Sequence, residues 1–198
     1  MKQQVFVIHG GNAFETREEY IVYLRAKEVT LEKLLHKDWK ANLQKSLGDD
    51  FEVYMPSMPS KNGATFFEWA LWFEKYIPFM NDDVILVGHS LGGSFLAKYL
   101  SEVSFPKKIR GTFLVAAPYD MDEGRKLPEF AITAPLNKLE EQAGELFMYQ
   151  SKDDPVVAFS ELEKYQKELK GATFRVFEDR QHFNMEEFPE IVEDIQTL

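Results

Sequence analysis

The sequence contains no cysteine. That absence excludes a disulfide framework, a thiolate metal site and a cysteine nucleophile, so covalent chemistry falls to Ser, Thr, Lys or a carboxylate. Long apolar runs are missing as well. The N-terminal "MKQQVFVIHGG" offers only Val5 to Ile8, too short for a signal core or a membrane span, and no cleavage pattern follows. The expectation is a first core strand in a cytoplasmic protein.

Positive charge is also scarce, with 23 Lys and Arg against 33 Asp and Glu, a formal net charge of -10. No basic block offsets it, which opposes binding to nucleic acid or to an anionic membrane surface. Repeats, low-complexity tracts and linkers are absent. Residues 1–198 therefore read as a single domain, long enough to bury a substantial core, with the 44% hydrophobic and 28% charged composition of an ordinary globular chain.

What is present is an alternation of strands and helices. "QVFVIHG", "FEVYMPSMP", "DVILVGHS", "IRGTFLVAAP", "GELFMYQS" and "TFRVFED" are short apolar runs ending in loops. Residues 15 to 47 predict two helical pieces, with Leu31, Leu34, Leu35, Trp39, Leu43 and Leu47 as one core stripe. "ATFFEWALWFEKYIPF" predicts a helix ending near Pro78, with Phe66, Trp69, Ala70, Phe73 and Ile77 facing the core. Further helices follow in "LGGSFLAKYLSEV", "AFSELEKYQKELKG", where Gly171 stands as the stop, and "EEFPEIVEDIQTL". Residues 119 to 144 break the pattern and read as a surface loop with one short helix. The class is α/β, a mostly parallel sheet with helices on both faces.

The chemistry centres on "VILVGHSLGG", in which residues 88 to 92 fit Gly-x-Ser-x-Gly. A strand turning sharply into a helix forces its central residue into strain, and the flanking glycines remove Cβ atoms that would collide. Ser90 is then held out above the sheet edge. The N–H of Leu91 lies at the helix start, where unpaired amides favour developing negative charge.

A serine hydroxyl needs a base, and the base needs a group that fixes its tautomer. On such a sheet the order is Ser, then an acid, then His. His9, His36 and His89 precede Ser90; only His182, in "FEDRQHFNMEEF", follows it. For the acid, "FMYQSKDDPVVAF" supplies Asp153 and Asp154, and Asp120 follows the preceding strand. Pro155 biases Asp154 toward an extended conformation that suits a carboxylate pointing back at a histidine. Asp154 is preferred, with Asp153 and Asp120 as alternatives.

A second oxyanion donor is expected from "VIHGGNAF", where Gly11, or else Asn12, presents a backbone N–H without side-chain obstruction. His9 then packs and hydrogen-bonds that loop. "HGGN" has neither the Gly-x-Gly-x-x-Gly spacing nor the Gly-Lys-Ser/Thr ending of a phosphate loop.

"VIHGG", "MPSMP", "LVGHSLGG", "QSKDDPVV" and "DRQHFN", in this order across nearly the whole chain, resemble the small α/β-hydrolases of the YdeN and retinoblastoma-binding protein 9 family of serine hydrolases. The resemblance implies an α/β-hydrolase fold with a minimal cap or none. It also implies Ser90 as nucleophile, Asp154 as acid, His182 as base, and Gly11 and Leu91 amides as the oxyanion hole. No metal or organic cofactor is implied. Asn12, Phe14 and His89 are candidate pocket residues. Ala158 departs from the proline of many relatives, and the segment between the oxyanion loop and Trp39 is about a dozen residues longer than in compact members, the extra residues lying around "FETREEYIVYLRAKEV", enough for a small cap lined by Phe14, Tyr20 and Tyr23.

The expected reaction is hydrolysis of small carboxylic esters in a shallow pocket. The same residues would serve a thioesterase or acyltransferase, and the scaffold could instead serve as a protein-interaction module.

Overall fold

The run Val84–His89 is buried at all six positions, as a strand must be when it has neighbours on both edges and helices on both faces. In the computed structural model, which describes residues 2–121 and 126–198, this run is the third strand of a single sheet. The strands are β1 (Gln3–Ile8), β2 (Phe51–Tyr54), β3 (Val84–His89), β4 (Ile109–Val115), β5 (Glu145–Ser151) and β6 (Thr173–Phe177). Their spatial order is β2-β1-β3-β4-β5-β6, and every neighbouring pair is parallel.

The helices are α1 (Arg17–Ala26), α2 (Leu31–Leu35), α3 (Trp39–Leu47), α4 (Phe66–Glu74), α5 (Leu91–Glu102), α6 (Asn137–Gln142), α7 (Phe159–Glu168) and α8 (Pro189–Gln196). Alternation along β1 shows how they divide, because successive side chains point to opposite faces. Phe6 and Ile8 join Trp69, Phe73, Phe95, Leu139 and Leu162 in one buried cluster, which gathers α4 to α7. Val5 and Val7 join Trp39, Leu43, Leu47, Ile191 and Ile195 in the other, which gathers α3 and α8. Among the described residues, no helix is long and apolar enough to cross a membrane.

Three expectations are corrected. The stripe from Leu31 to Leu47 is not one face: Trp39, Leu43 and Leu47 are buried, whereas Leu31, Leu34 and Leu35 are 79%, 70% and 82% exposed. The helix stops at Leu35, and Asp38 starts a new one by accepting from the N–H of Lys40 (3.1 Å), so the apolar phase is lost at the break. Gly171 is not a left-handed stop, since α7 ends at Glu168 with an extended cap at Leu169, and the Gly171 N–H donates to Glu140.

The segment from 119 to 144, of which 122–125 lie outside the described residues, is more than a surface loop. It sends Leu127, Phe130, Ile132 and Leu136 into the core beside α4 and α5. The stripe of α4 is as expected, with Trp69, Phe73 and Ile77 buried and Phe66 and Ala70 packed against them. That helix ends at Glu74, and Pro78 lies in a 3-10 turn, Ile77–Phe79.

Candidate active site

Ser90 sits between the last residue of β3 and the first of α5 with φ 55° and ψ -124°, a left-handed conformation that costs a non-glycine residue roughly 1–3 kcal/mol. The surroundings hold it there. Its N–H donates to Val115 O at the end of β4 (2.8 Å). A Cβ on Gly88 would lie 2.5 Å from Gly92 O, and one on Gly92 would press against the carbonyl oxygens of Ile8 and His9. Only glycines let the helix start approach both β3 and β1.

The loop after β6 brings His182 back to this point. Its Nε2 lies 3.0 Å from Ser90 Oγ and its Nδ1 lies 2.8 Å from Asp154 Oδ2. A carboxylate only accepts, so Nδ1 carries the hydrogen and Nε2 is left to accept from the serine hydroxyl. The Asp154 side chain is fully buried. Its other oxygen, Oδ1, accepts from the N–H groups of Val156 (2.7 Å) and Val157 (3.0 Å).

The competing acids are engaged elsewhere. Asp153 Oδ1 accepts from Ser151 Oγ (2.6 Å) and from the Gln181 N–H (2.9 Å), so it ties the histidine loop to the end of β5. Asp120 pairs with Lys164. Gln181 and Phe183, on either side of His182, have φ of 47° and 52°, which gives the loop its sharp local bend.

The loop after β1 completes the floor. His9 Nδ1–H donates to Gly10 O (2.7 Å), its Nε2 accepts from the Met58 N–H (2.9 Å), and its ring meets Trp69 edge-on. It is a loop-bracing residue, and burial foremost holds its pKa below the ordinary value. A Cβ on Gly11 would lie 2.5 Å from Lys61 O and 3.2 Å from the Leu91 side chain. The Asn12 N–H donates to Lys61 O (2.7 Å), which removes it as an oxyanion donor and leaves Gly11 as the candidate in this loop.

These parts open into one cavity of about 1610 Å³, lined by Gly11, Asn12, Phe14, His89, Ser90, Leu91 and His182 among others. α1 and the chain beyond it supply an outer wall through Val22, Tyr23, Lys27 and Lys33. Phe14 packs on Tyr20 and Tyr23, with ring centroids 5.7 and 5.2 Å away. Tyr20 does not line the cavity; its ring lies over Gly63 instead. Among the described residues, no cluster of His, Asp and Glu could hold a metal ion.

Sequence reasoning missed two buried charges beside the site. Lys40, only 8% exposed, places Nζ 2.5 Å from Asp38 Oδ2 and 3.2 Å from His89 Nδ1. Its pKa is lowered by burial, which outweighs Asp38. His89 is pushed well below its ordinary value by burial, by the Lys40 charge and by His182. Glu161, 3% exposed, accepts three successive N–H groups, those of Tyr119 (2.7 Å), Asp120 (2.9 Å) and Met121 (2.8 Å). It fixes the loop after β4, of which Asp120 and Met121 line the cavity. Both residues fall in strings of surface-like charge, and nothing in their spacing marks them as buried.

A family model described as "Serine hydrolase" matches residues 32–196. No curated protein matches the chain. The structure is similar to that of the ydeN gene product from B. subtilis, with TM-score 0.79 and 21% identity over 99% of this chain and 98% of that one. It is also similar to a lipase-esterase related protein from Clostridium acetobutylicum, with TM-score 0.65 and 12% identity over 98% and 93% of the two chains. For Est1E from Butyrivibrio proteoclasticus the TM-score is 0.58 and the identity 15%, over 99% and 86%. At these identities the likeness is one of fold, the α/β-hydrolase fold.

Proposed function

Because the chain belongs to the serine hydrolase family, we propose that it hydrolyses carboxylic esters of small molecules through an acyl-enzyme on Ser90, with His182 as general base and Asp154 as its orienting acid. The observation that carries this reading is the unbroken hydrogen-bonded chain from Asp154 through His182 to Ser90, at 2.8 and 3.0 Å, ending at a strained serine that lines a cavity.

Each step uses one of these contacts. His182 Nε2 takes the Ser90 proton as Oγ attacks the ester carbonyl, and the resulting oxyanion accepts from the Leu91 and Gly11 N–H groups. Leu91 is the first residue of α5, so its amide is one that a helix leaves without an intrahelical acceptor. The carbonyl re-forms, the alcohol leaves with the proton held by His182, and water repeats the sequence to free the acid. Asp154 stays ionised, holding the Nδ1–H tautomer and balancing the imidazolium. One sheet with a buried cluster on each face supports a single domain for residues 1–198.

Labelling with a fluorophosphonate probe, in wild type and in Ser90→Ala, tests the nucleophile. Wild type should label and Ser90→Ala should not; an unlabelled wild type would sink the hydrolase reading. A panel of p-nitrophenyl esters beside acyl thioesters tests the leaving group, and faster turnover of thioesters would move the assignment to a thioesterase.

A further inference from the structure

Five consecutive carbonyls of the loop that carries His182 are each held by a donor from a distant part of the chain. His182 O accepts from His89 Nε2 (2.9 Å), Phe183 O from Trp39 Nε1 (2.9 Å), and Asn184 O from His36 Nε2 (2.8 Å). Met185 O accepts from the Trp39 N–H (2.8 Å) and Glu186 O from Asn42 Nδ2 (3.0 Å). Four of the donors belong to residues 36–42, at the start of α3, and the fifth is the residue before Ser90. Loop carbonyls at a surface can take their hydrogen bonds from water; here an entire run is taken by protein.

We propose that His89 and the start of α3 form a clamp that positions His182 over Ser90, with Lys40 setting the clamp by holding His89 in its Nε2–H tautomer. An ammonium can only donate, so the 3.2 Å contact from Lys40 Nζ requires Nδ1 of His89 to be the accepting nitrogen. The ring hydrogen is thereby forced onto Nε2, where it meets His182 O. The opposite tautomer would turn a lone pair toward that carbonyl and release the loop at the residue that bears the base. This gives a role to a lysine kept 8% exposed beside a site that does not use its charge in any bond-making step. Asp38 Oδ2, 2.5 Å away, balances the charge and aims the ammonium.

His89, Lys40 and Trp39 are thus positioning residues. Their effect reaches the reaction through the 3.0 Å contact between His182 Nε2 and Ser90 Oγ. The proposal rests on the triad assignment, and its tests separate the two.

Ring ¹⁵N shifts of His89 should report a pure Nε2–H tautomer in wild type and a loss of that purity in Lys40→Met. An unchanged tautomer in Lys40→Met would overturn the role of Lys40 without reference to activity. His89→Leu should lower kcat by roughly 10- to 100-fold with KM nearly unchanged, because small displacements of a reacting group cost that much. His89→Gln, whose amide nitrogen can still donate to His182 O, should recover most of the loss. If His89→Leu does not fold, Trp39→Phe replaces it, removing the donor to Phe183 O, and should again lower kcat rather than raise KM. A wild type that labels with fluorophosphonate, together with a folded His89→Leu or Trp39→Phe at full kcat, would overturn the clamp alone. A wild type that does not label would overturn the triad and the clamp together.

Discussion

Replacing Asp154 by asparagine changes one atom, and the hydrogen bonds around that atom dictate the result. Oδ1 accepts two backbone N–H groups, from Val156 and Val157, so the amide oxygen of the asparagine must stay there; an NH₂ in its place would face two donors. The NH₂ therefore faces His182 Nδ1, which must now accept, and the ring hydrogen moves to Nε2. That hydrogen then points at Ser90 Oγ, 3.0 Å away, and the base has no lone pair to offer. A wrong tautomer of this kind costs on the order of 10⁴ in kcat, about 5.5 kcal/mol of barrier. The fold should survive, because the two turn hydrogen bonds are retained.

The assay is p-nitrophenyl ester hydrolysis, with melting temperature as the check on folding. Asp153→Asn is the control. Its Oδ1 partners, Ser151 Oγ and the Gln181 N–H, still meet a carbonyl oxygen, so kcat should stay within roughly threefold of wild type. Retention of more than about a tenth of wild-type kcat by a folded Asp154→Asn would refute the tautomer argument. The reverse ranking of the two variants would move the acid to Asp153.

Gly92→Ala should lower stability by ~1–3 kcal/mol and slow fluorophosphonate labelling, because the new methyl presses on Ile8 O and His9 O and must shift the loop bearing Gly11; an unchanged melting temperature and labelling rate would contradict this. Burial alone would raise the Glu161 carboxyl, but Lys164 and the N–H groups of Met121, Asp120 and Tyr119 overcome it and hold the pKa below its ordinary value. A lowered native pKa adds stability above the unfolded value of about 4.5, and that stability is lost as pH falls through the native value. The melting-temperature gap between wild type and Glu161→Gln should therefore be full at pH 7 and narrow in acid, and a gap that widens in acid would oppose the assignment. His9 and His89 are held neutral chiefly by burial, so the unfolded chain gains protons near pH 6.5 that the native state does not. Stability from this source rises with pH through that region, and the loss on acidification to pH 5.5 should be smaller in His89→Gln, as read from urea midpoints.

Which features were legible in the sequence depends on how locally they are encoded. All six strands came from short apolar runs bounded by turn residues, and the elbow from a serine between glycines at a strand-to-helix joint. That Asp154 and His182 come together with Ser90 was reachable because the sheet fixes the order in which its strand ends contribute side chains. Between residues 15 and 47 the helical character was legible, but neither the division into three helices rather than two nor the phase of the apolar face was, because a periodicity carries phase only while a helix is continuous. His36 is extended, Asp38 caps a new helix, and three leucines whose spacing puts them in register with Trp39 stand in solvent. Glu161 and Lys40 were missed for a different reason: each is buried by partners about 40 or more residues away, the 119–121 backbone and His89, and no local pattern records such pairings. Gly11 was preferred to Asn12 as the donor in the loop after β1, and the Asn12 N–H is engaged by Lys61 O, 49 residues on, a pairing that no local pattern records.

The 92 residues that separate Ser90 from His182 also set an order of events during synthesis. Once residue 115 has emerged, β1, β3 and β4 can pair and the strained serine can form. Asp154 arrives about 40 residues later, and His182 only with the loop that β6 delivers, which must then dock against residues 36–42. Contacts between such distant segments form late, because loop-closure entropy opposes them until most of the sheet exists. On the proposed mechanism, a nascent or truncated chain that stops short of residue 182 would carry a nucleophile without a base to activate it, and hydrolysis would begin only when the last strand is in place.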